Sequence, residues 1–174
     1  ILLNYSNIIL TGGTGWLGSR IALALTKGLP EIGGLGRGGH SIQCLVNPND
    51  NIDELLNLGA KVHYGDLLDK VSLDGLMKRG ENSLVIHTAG LIHPKLFTKD
   101  FFKINVKGTI NIVESAAKAK ASRVVVISSN SPIGSNSSPE QRFTENSPYN
   151  PYMGYGKSKK NTASDKRKSD RVQY

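Results

Sequence analysis

The stretch Asn7-Ile8-Ile9-Leu10-Thr11-Gly12-Gly13-Thr14-Gly15-Trp16-Leu17-Gly18 decides how this chain reads. Asn7 to Thr11 is a short apolar run without breakers, the pattern of a buried strand. Trp16 to Lys27 follows with helical spacing and no breaker after Gly18. Between the two, Gly12, Gly15 and Gly18 are spaced G-x-x-G-x-x-G. A strand-to-helix turn needs glycine to turn tightly, to let the backbone approach a pyrophosphate, and to let helix and strand pack closely. The helix N-terminus then offers unpaired N–H groups and a positive dipole end to phosphate. In a chain with 19 glycines the spacing alone says little, so the strand before and the helix after carry the inference. Trp16, inside the loop, is expected to pack under the first helix.

Outward from this turn the pattern repeats. Ser41–Val46 reads as a second strand stopped by the Asn47-Pro48 turn, after a glycine-rich loop over Pro30–Gly39. Asn51–Leu58 is a short helix with an Asn or Asp cap. Lys61–Tyr64 is a third strand, followed by a helix near Val71–Lys78, and Ser83–His87 is a fourth. Phe97–Ala119 reads as one long amphipathic helix, and Arg123–Ser128 as a fully apolar fifth strand. Residues 129–151 are a loop rich in Ser, Asn and Pro, and a last helix begins near Tyr152. Strand and helix alternating five times predict an α/β fold, a Rossmann-like doubly wound parallel sheet of order 3-2-1-4-5. Such sheets bind ligands beyond the carboxyl ends of their strands, where the strand order reverses.

Composition narrows the classes. A chain of 174 residues, 38% hydrophobic, suits one packed domain. No apolar run approaches the roughly 18 residues of a membrane span, and no secretory signal is evident. The expectation is a soluble cytoplasmic protein whose amino terminus, opening at Ile1, is incomplete. The single cysteine, Cys44, excludes a disulfide framework. His40, His63, His87 and His93 show no ligand spacing, so no metal site is expected. The net charge is +8, but Lys157 to Arg171 holds seven basic and two acidic residues, five of those eight charges. A basic, polar terminal segment is not the aromatic-interleaved patch of a nucleic-acid reader, and no specific nucleic-acid partner is expected. Gly156-Lys157-Ser158 resembles the end of a P-loop, but that motif needs glycine at position 151, which is Pro151.

Tyr155 and Lys159 lie four apart and share a helix face. A tyrosine with pKa about 10 is a poor acid or base at neutral pH until a neighbouring ammonium favours its phenolate. The pair can then move a proton at an alcohol or carbonyl. A hydroxyl is needed to hold that oxygen, and Ser129, at the end of the fifth strand, is a candidate.

Six pieces in order, TGGTGWLG (11–18), YGDLLD (64–69), VIHTAG (85–90), INVKGTINIVESA (104–116), RVVVISSNSPIG (123–134) and PYMGYGKSK (151–159), resemble the extended short-chain dehydrogenase/reductase family of epimerases, dehydratases and 3β-hydroxysteroid dehydrogenase-like enzymes. The resemblance implies NAD(P) binding and hydride transfer at a hydroxyl or carbonyl carbon of a small molecule, such as a nucleotide sugar or steroid-like alcohol. It implies Ser129, Tyr155 and Lys159 as the catalytic set, with Asn105 placing the lysine or a water, the other reading of Asn105 being a buried polar residue that bonds the backbone. It implies cofactor contacts from Gly12, Thr14, Gly15, Trp16, Leu17, Gly18, Asn47, Asp66, Leu67, Ala89, Gly90, Tyr155 and Lys159, with Asp66 meeting the adenine amino group. Ser128 and Ser131 are fallbacks in the serine-rich run.

The chain departs from the family in three ways. The second strand ends in Val46-Asn47-Pro48, with neither the acid that favours NAD nor the arginine that favours NADP; Asp50 is a candidate substitute, and the cofactor stays NAD or NADP with a lean to NAD. The segment over Pro30–His40 is longer than usual. The sequence stops 15 residues after Lys159, so the expectation is a dinucleotide-binding domain over 1–159 with the C-terminal substrate lobe absent, and a basic, disordered or divergent tail over 160–174. An uncovered edge beyond the fifth strand favours pairing with another chain, such as a homodimer. The alternative reading is a non-catalytic dinucleotide-binding module or an inactive fragment.

Overall fold

A computed structural model describes residues 5–32, 38–92, 99–136 and 138–166. Five strands, β1 (Asn7–Thr11), β2 (Ile42–Val46), β3 (Lys61–Tyr64), β4 (Ser83–His87) and β5 (Arg123–Val126), form one parallel sheet of order β3-β2-β1-β4-β5. Helices α1 (Trp16–Thr26) and α2 (Asp53–Asn57) cover one face, and α3 (Lys70–Leu76) and α5 (Thr109–Lys118) the other. Because strand side chains alternate, Ile9, Val85 and Val124 pack with Leu73 and Ile112. Ile8, Leu10 and Cys44 pack with Ala22 and Leu55 on the opposite face. Burial on both faces is why the central strands β1 and β4 read as apolar runs, while β3, at the sheet edge, is half-buried to exposed. It also pushes the Cys44 thiol up to about 12.

Side chains end the turns as the sequence suggests. Asn51 Oδ1 accepts from the Asp53 N–H at 2.9 Å before α2. Asp69 caps α3 by accepting from the Val71 N–H at 2.9 Å.

Two expectations are corrected. The helix expected over Phe97–Ala119 is continuous over 99–118 but changes its winding, α4 (Lys99–Phe101) leading through a π-helical stretch (Phe102–Gly108) into α5. Positions 97–98 lie outside the described residues. Gly108 in the π stretch packs against Leu67, close enough that a methyl group there would lie 3.0 Å from Leu67 Cβ. The second correction concerns the segment after Lys159. Helix α6 runs over Gly154–Lys166, so the boundary placed at 159 falls inside a helix. The sequence hides it because its inward face is polar: Ser158, Lys159 and Thr162 are all buried, where an amphipathic pattern would call for aliphatic residues. Positions 1–4, 33–37 and 167–174, including Arg167, Lys168 and Arg171 of the basic tail, lie outside the described residues, as does His93. Among the described residues no helix is long and apolar enough to cross a membrane, and no group of three metal-ligating side chains occurs.

Candidate active site

The turn between β1 and α1 is locked by its glycines. Gly12 has φ +74°, and a Cβ there would lie 2.6–2.8 Å from Thr88 Oγ1 and the Ala89 backbone. The Gly15 N–H donates to the Gly12 carbonyl at 3.0 Å, and a Cβ on Gly18 would overlap that same oxygen. Gly12 and Gly18 therefore close the turn on itself, while Gly15 is exposed. Gly15 is also the N-cap of α1, with no side chain capping the helix and no acidic residue in its first turn. The positive end of the helix and its unpaired N–H groups face outward, the arrangement that binds anions.

A cleft of about 480 Å³ opens from this turn along the carboxyl ends of the strands, within the roughly 300–1,000 Å³ of small-molecule sites. Of the residues expected there, Gly12, Thr14, Gly15, Trp16, Leu17, Gly18, Asn47, Leu67, Ala89, Gly90, Tyr155 and Lys159 line it. Gly90 leaves room in the wall: a Cβ there would lie 3.2 Å from Asn105 Oδ1 and 3.6 Å from Lys159 Nζ. Asp50 also lines the cleft, its Oδ2 accepting from the Asn47 N–H at 3.0 Å and from Thr14 Oγ1 at 3.2 Å. A larger concavity of about 980 Å³ lies at the opposite, amino ends of the strands. It gathers none of these residues.

The site gathers Tyr155 and Lys159 at its far end. Lys159 is 9% exposed. Its Nζ donates to the Ile127 carbonyl at 3.2 Å and sits 5.8 Å from the centroid of the Tyr155 ring. The ring in turn packs against Phe101, centroids 5.9 Å apart. Burial holds the Lys159 amine below a lysine's ordinary 10.5, because a cation leaving water is penalised. The consequence for stability has a definite sign. Between the depressed native value and 10.5 the unfolded chain binds the extra proton, so stability rises with pH there, and the full penalty persists at neutral pH. Lys159→Met is therefore expected to stabilise the fold at pH 7 by about 0.5–1 kcal/mol. That gain should shrink as pH rises towards 10.5, as read by urea unfolding at several pH values.

Three expected site residues stand off the cleft wall, and the packing expected of Trp16 is corrected. Ser129 does not line the cleft; its Oγ donates to Ser131 Oγ at 3.0 Å and accepts from the Ser131 N–H at 3.1 Å, while Ser128 faces the cleft. Asn105 is buried and takes part in no cleft wall. Its Oδ1 accepts from the Leu91 N–H at 2.7 Å, and its Nδ2 donates to the Leu91 carbonyl at 2.9 Å and to Ser158 Oγ at 3.1 Å. Asp66 likewise lies outside the cleft wall, accepting from the Leu68 N–H at 2.7 Å, although its neighbours Gly65 and Leu67 line it. Trp16 does not pack under α1; it is 89% exposed at the lip of the cleft. The first helix's inward position near the turn is held by Gly18 against the Gly12 carbonyl, which leaves no space for an indole. Sequence reasoning missed Leu45, Gly65, Thr88, Ile92 and Ile127 as lining residues. Each except Ile92 is at or just past the carboxyl end of a strand, and that position was the available signal.

A doubly wound parallel sheet with a glycine turn and an uncapped helix at its switch point defines a nucleotide-binding α/β protein. More narrowly, the chain belongs to the NAD dependent epimerase/dehydratase family, whose model matches residues 8–165. It is 46% identical over 159 residues to the uncharacterised protein y4nL of Sinorhizobium fredii, covering 91% of this chain and 44% of that one. It is 27% identical over 171 residues to the dTDP-D-glucose 4,6-dehydratase of Dictyostelium discoideum, covering 87% and 37%. Among solved structures it resembles the Bordetella bronchiseptica enzyme WbmG in complex with NAD and UDP, with TM-score 0.76 and 25% identity over 95% of this chain and 51% of that one. The chain thus spans less than half the length of these two relatives.

Proposed function

We propose that this chain is the NAD-binding and proton-handling portion of an enzyme that oxidises or reduces a hydroxyl-bearing carbon of a nucleoside-diphosphate sugar. The observation that carries the reading is one cleft with the glycine turn at one end and the Tyr155–Lys159 pair at the other. The residues present fit a dinucleotide. An uncapped, acid-free helix start accepts a diphosphate, and Gly90 leaves the wall beside Lys159 open. NAD, when bound, supplies the hydride acceptor or donor. The chain's own part is to hold and to move a proton. The N–H groups after Gly15 bind the diphosphate, Lys159 presents its ammonium to ribose hydroxyls, and Tyr155 takes or gives the proton of the substrate hydroxyl. Ser128, on the cleft wall, is better placed than Ser129 to hold that oxygen. The sugar class rests on the relatives' own substrate and ligand, dTDP-D-glucose for the Dictyostelium dehydratase and UDP in the WbmG complex.

Asp50 decides between NAD and NADP in this reading. Its carboxylate, fixed by Asn47 and Thr14 beside the turn, accepts bonds from ribose hydroxyls and repels a 2′-phosphate. The experiment is a titration of each coenzyme, read by the emission of Trp16, the one tryptophan in the chain. NAD is expected to bind at least tenfold tighter than NADP, and Asp50→Asn to narrow that ratio several-fold by improving NADP. Equal affinities in the wild-type protein would refute the role of Asp50, and binding of neither would refute the function.

A further inference from the structure

His87 is buried at the end of β4, away from the cleft wall, and the mechanism above does not use it. Its Nδ1 lies 2.6 Å from Thr11 Oγ1 and its Nε2 2.9 Å from Thr109 Oγ1. The proton positions follow from chemistry. Thr109 Oγ1 lies 2.7 Å from the Asn105 carbonyl, which can only accept, so the Thr109 hydroxyl spends its one proton there. It must then accept from His87, which puts a ring proton on Nε2; the Thr11 oxygen accepts from the Ala89 N–H at 3.4 Å, so its own proton is left to donate to Nδ1. The bonds therefore run one way, from Thr11 through His87 and Thr109 to the Asn105 carbonyl, and aligned links of this kind strengthen one another.

Both ends of the relay matter for the site. Thr11 is the residue before Gly12, and its carbonyl accepts from Thr88 Oγ1 at 2.7 Å. At the other end the Thr162 hydroxyl lies 3.0 Å from both the Asn105 carbonyl and the Ser158 carbonyl and shares its one proton between them, while the Asn105 side chain donates to Ser158 Oγ, also on α6, at 3.1 Å. Thr162 sits on α6 three residues past Lys159, on the same helix face. We infer that His87 is a positioning residue that ties the phosphate-holding turn to the helix carrying Tyr155 and Lys159, so that the two ends of the cleft keep the spacing a dinucleotide requires. The inference rests on the dinucleotide reading of the cleft. Packing alone would give an apolar residue here; the directional bonds set distance and angle, which an aliphatic side chain does not.

The test measures NAD affinity by calorimetry and melting temperature for each variant. His87→Leu is expected to weaken NAD binding at least tenfold. His87→Gln, whose amide can accept from Thr11 and donate to Thr109, is expected to stay within threefold of wild type. The triple variant His87→Leu, Thr11→Val, Thr109→Val removes the hydroxyls that His87→Leu strands. It is expected to regain the lost melting temperature without regaining the affinity. A purely structural His87 predicts the reverse, affinity returning together with stability, and that result would overturn the inference. So would wild-type affinity in His87→Leu, or a His87→Gln variant no better than His87→Leu. If His87→Leu does not fold, Thr109→Val cuts the same relay at one link and should lose at least fivefold in affinity; unchanged affinity there also overturns it. Absence of NAD binding by the wild-type protein would instead remove the dinucleotide reading, and this inference with it.

Discussion

Gly15→Asp is expected to lower NAD affinity at least 100-fold, about 2.8 kcal/mol, while leaving the melting temperature unchanged or slightly raised. The two effects separate because of where Gly15 sits. Its backbone is extended, with φ −84° and ψ 165°, a conformation open to any residue. A Cβ there would meet only the Gly12 carbonyl oxygen, at 3.3 Å. Aspartate is moreover a favoured N-cap, and its charge suits the positive end of α1. What helps the helix harms the site, since the carboxylate occupies the anion position and repels a diphosphate. Gly15→Ala, lacking the charge, should lose far less. Calorimetry with NAD and thermal unfolding of the same preparations give both readings. An unchanged dissociation constant for Gly15→Asp would end the assignment of the turn to phosphate.

Tyr155→Phe is expected to lower kcat by about 10²–10⁴ in a preparation that turns over a nucleoside-diphosphate sugar, the usual worth of a positioned proton donor or acceptor. NAD affinity should stay within threefold. Phenylalanine keeps the ring that packs on Phe101 and lies beneath Lys159, so the change removes one hydroxyl and little else. Loss of kcat with retained binding isolates the proton-transfer role. Retained kcat would exclude Tyr155 from that role and shift attention to the hydroxyls of Ser128, which lines the cleft with Tyr155, and Ser131, which lines a neighbouring cavity with it.

Lys159 illustrates a cost of this arrangement. The fold buries an ammonium whose charged form it disfavours, and the predicted gain from Lys159→Met is the stability given up to keep that group beside the tyrosine.

Most of the architecture was legible because burial on two faces writes itself into short β-branched runs. Such runs marked the central strands, their alternation with helices set the parallel order, and the glycine spacing marked the turn at Gly12–Gly18. Most of the cleft was legible too, since it follows from that turn and from the carboxyl ends of the strands. The directions that three side chains take were not legible. Trp16 stands outside because Gly18 fills the space beneath it against the Gly12 carbonyl. Ser129 turns to Ser131 and leaves Ser128 on the wall. Asn105 closes on Leu91 and Ser158.

The amino-acid sequence by itself determined the doubly wound sheet, the glycine turn, the Tyr155–Lys159 face and the family to which the chain belongs. Those features are local, expressed in spacing along a single element or in short motifs in order. Only the tertiary structure decided which serine faces the cleft, that Asp50 reaches Thr14, that α6 buries a polar face, and that His87 joins Thr11 to Thr109. Each depends on groups that the crossovers bring together from distant parts of the chain, or on the direction a side chain takes among competing hydrogen-bond partners, and local periodicity encodes neither.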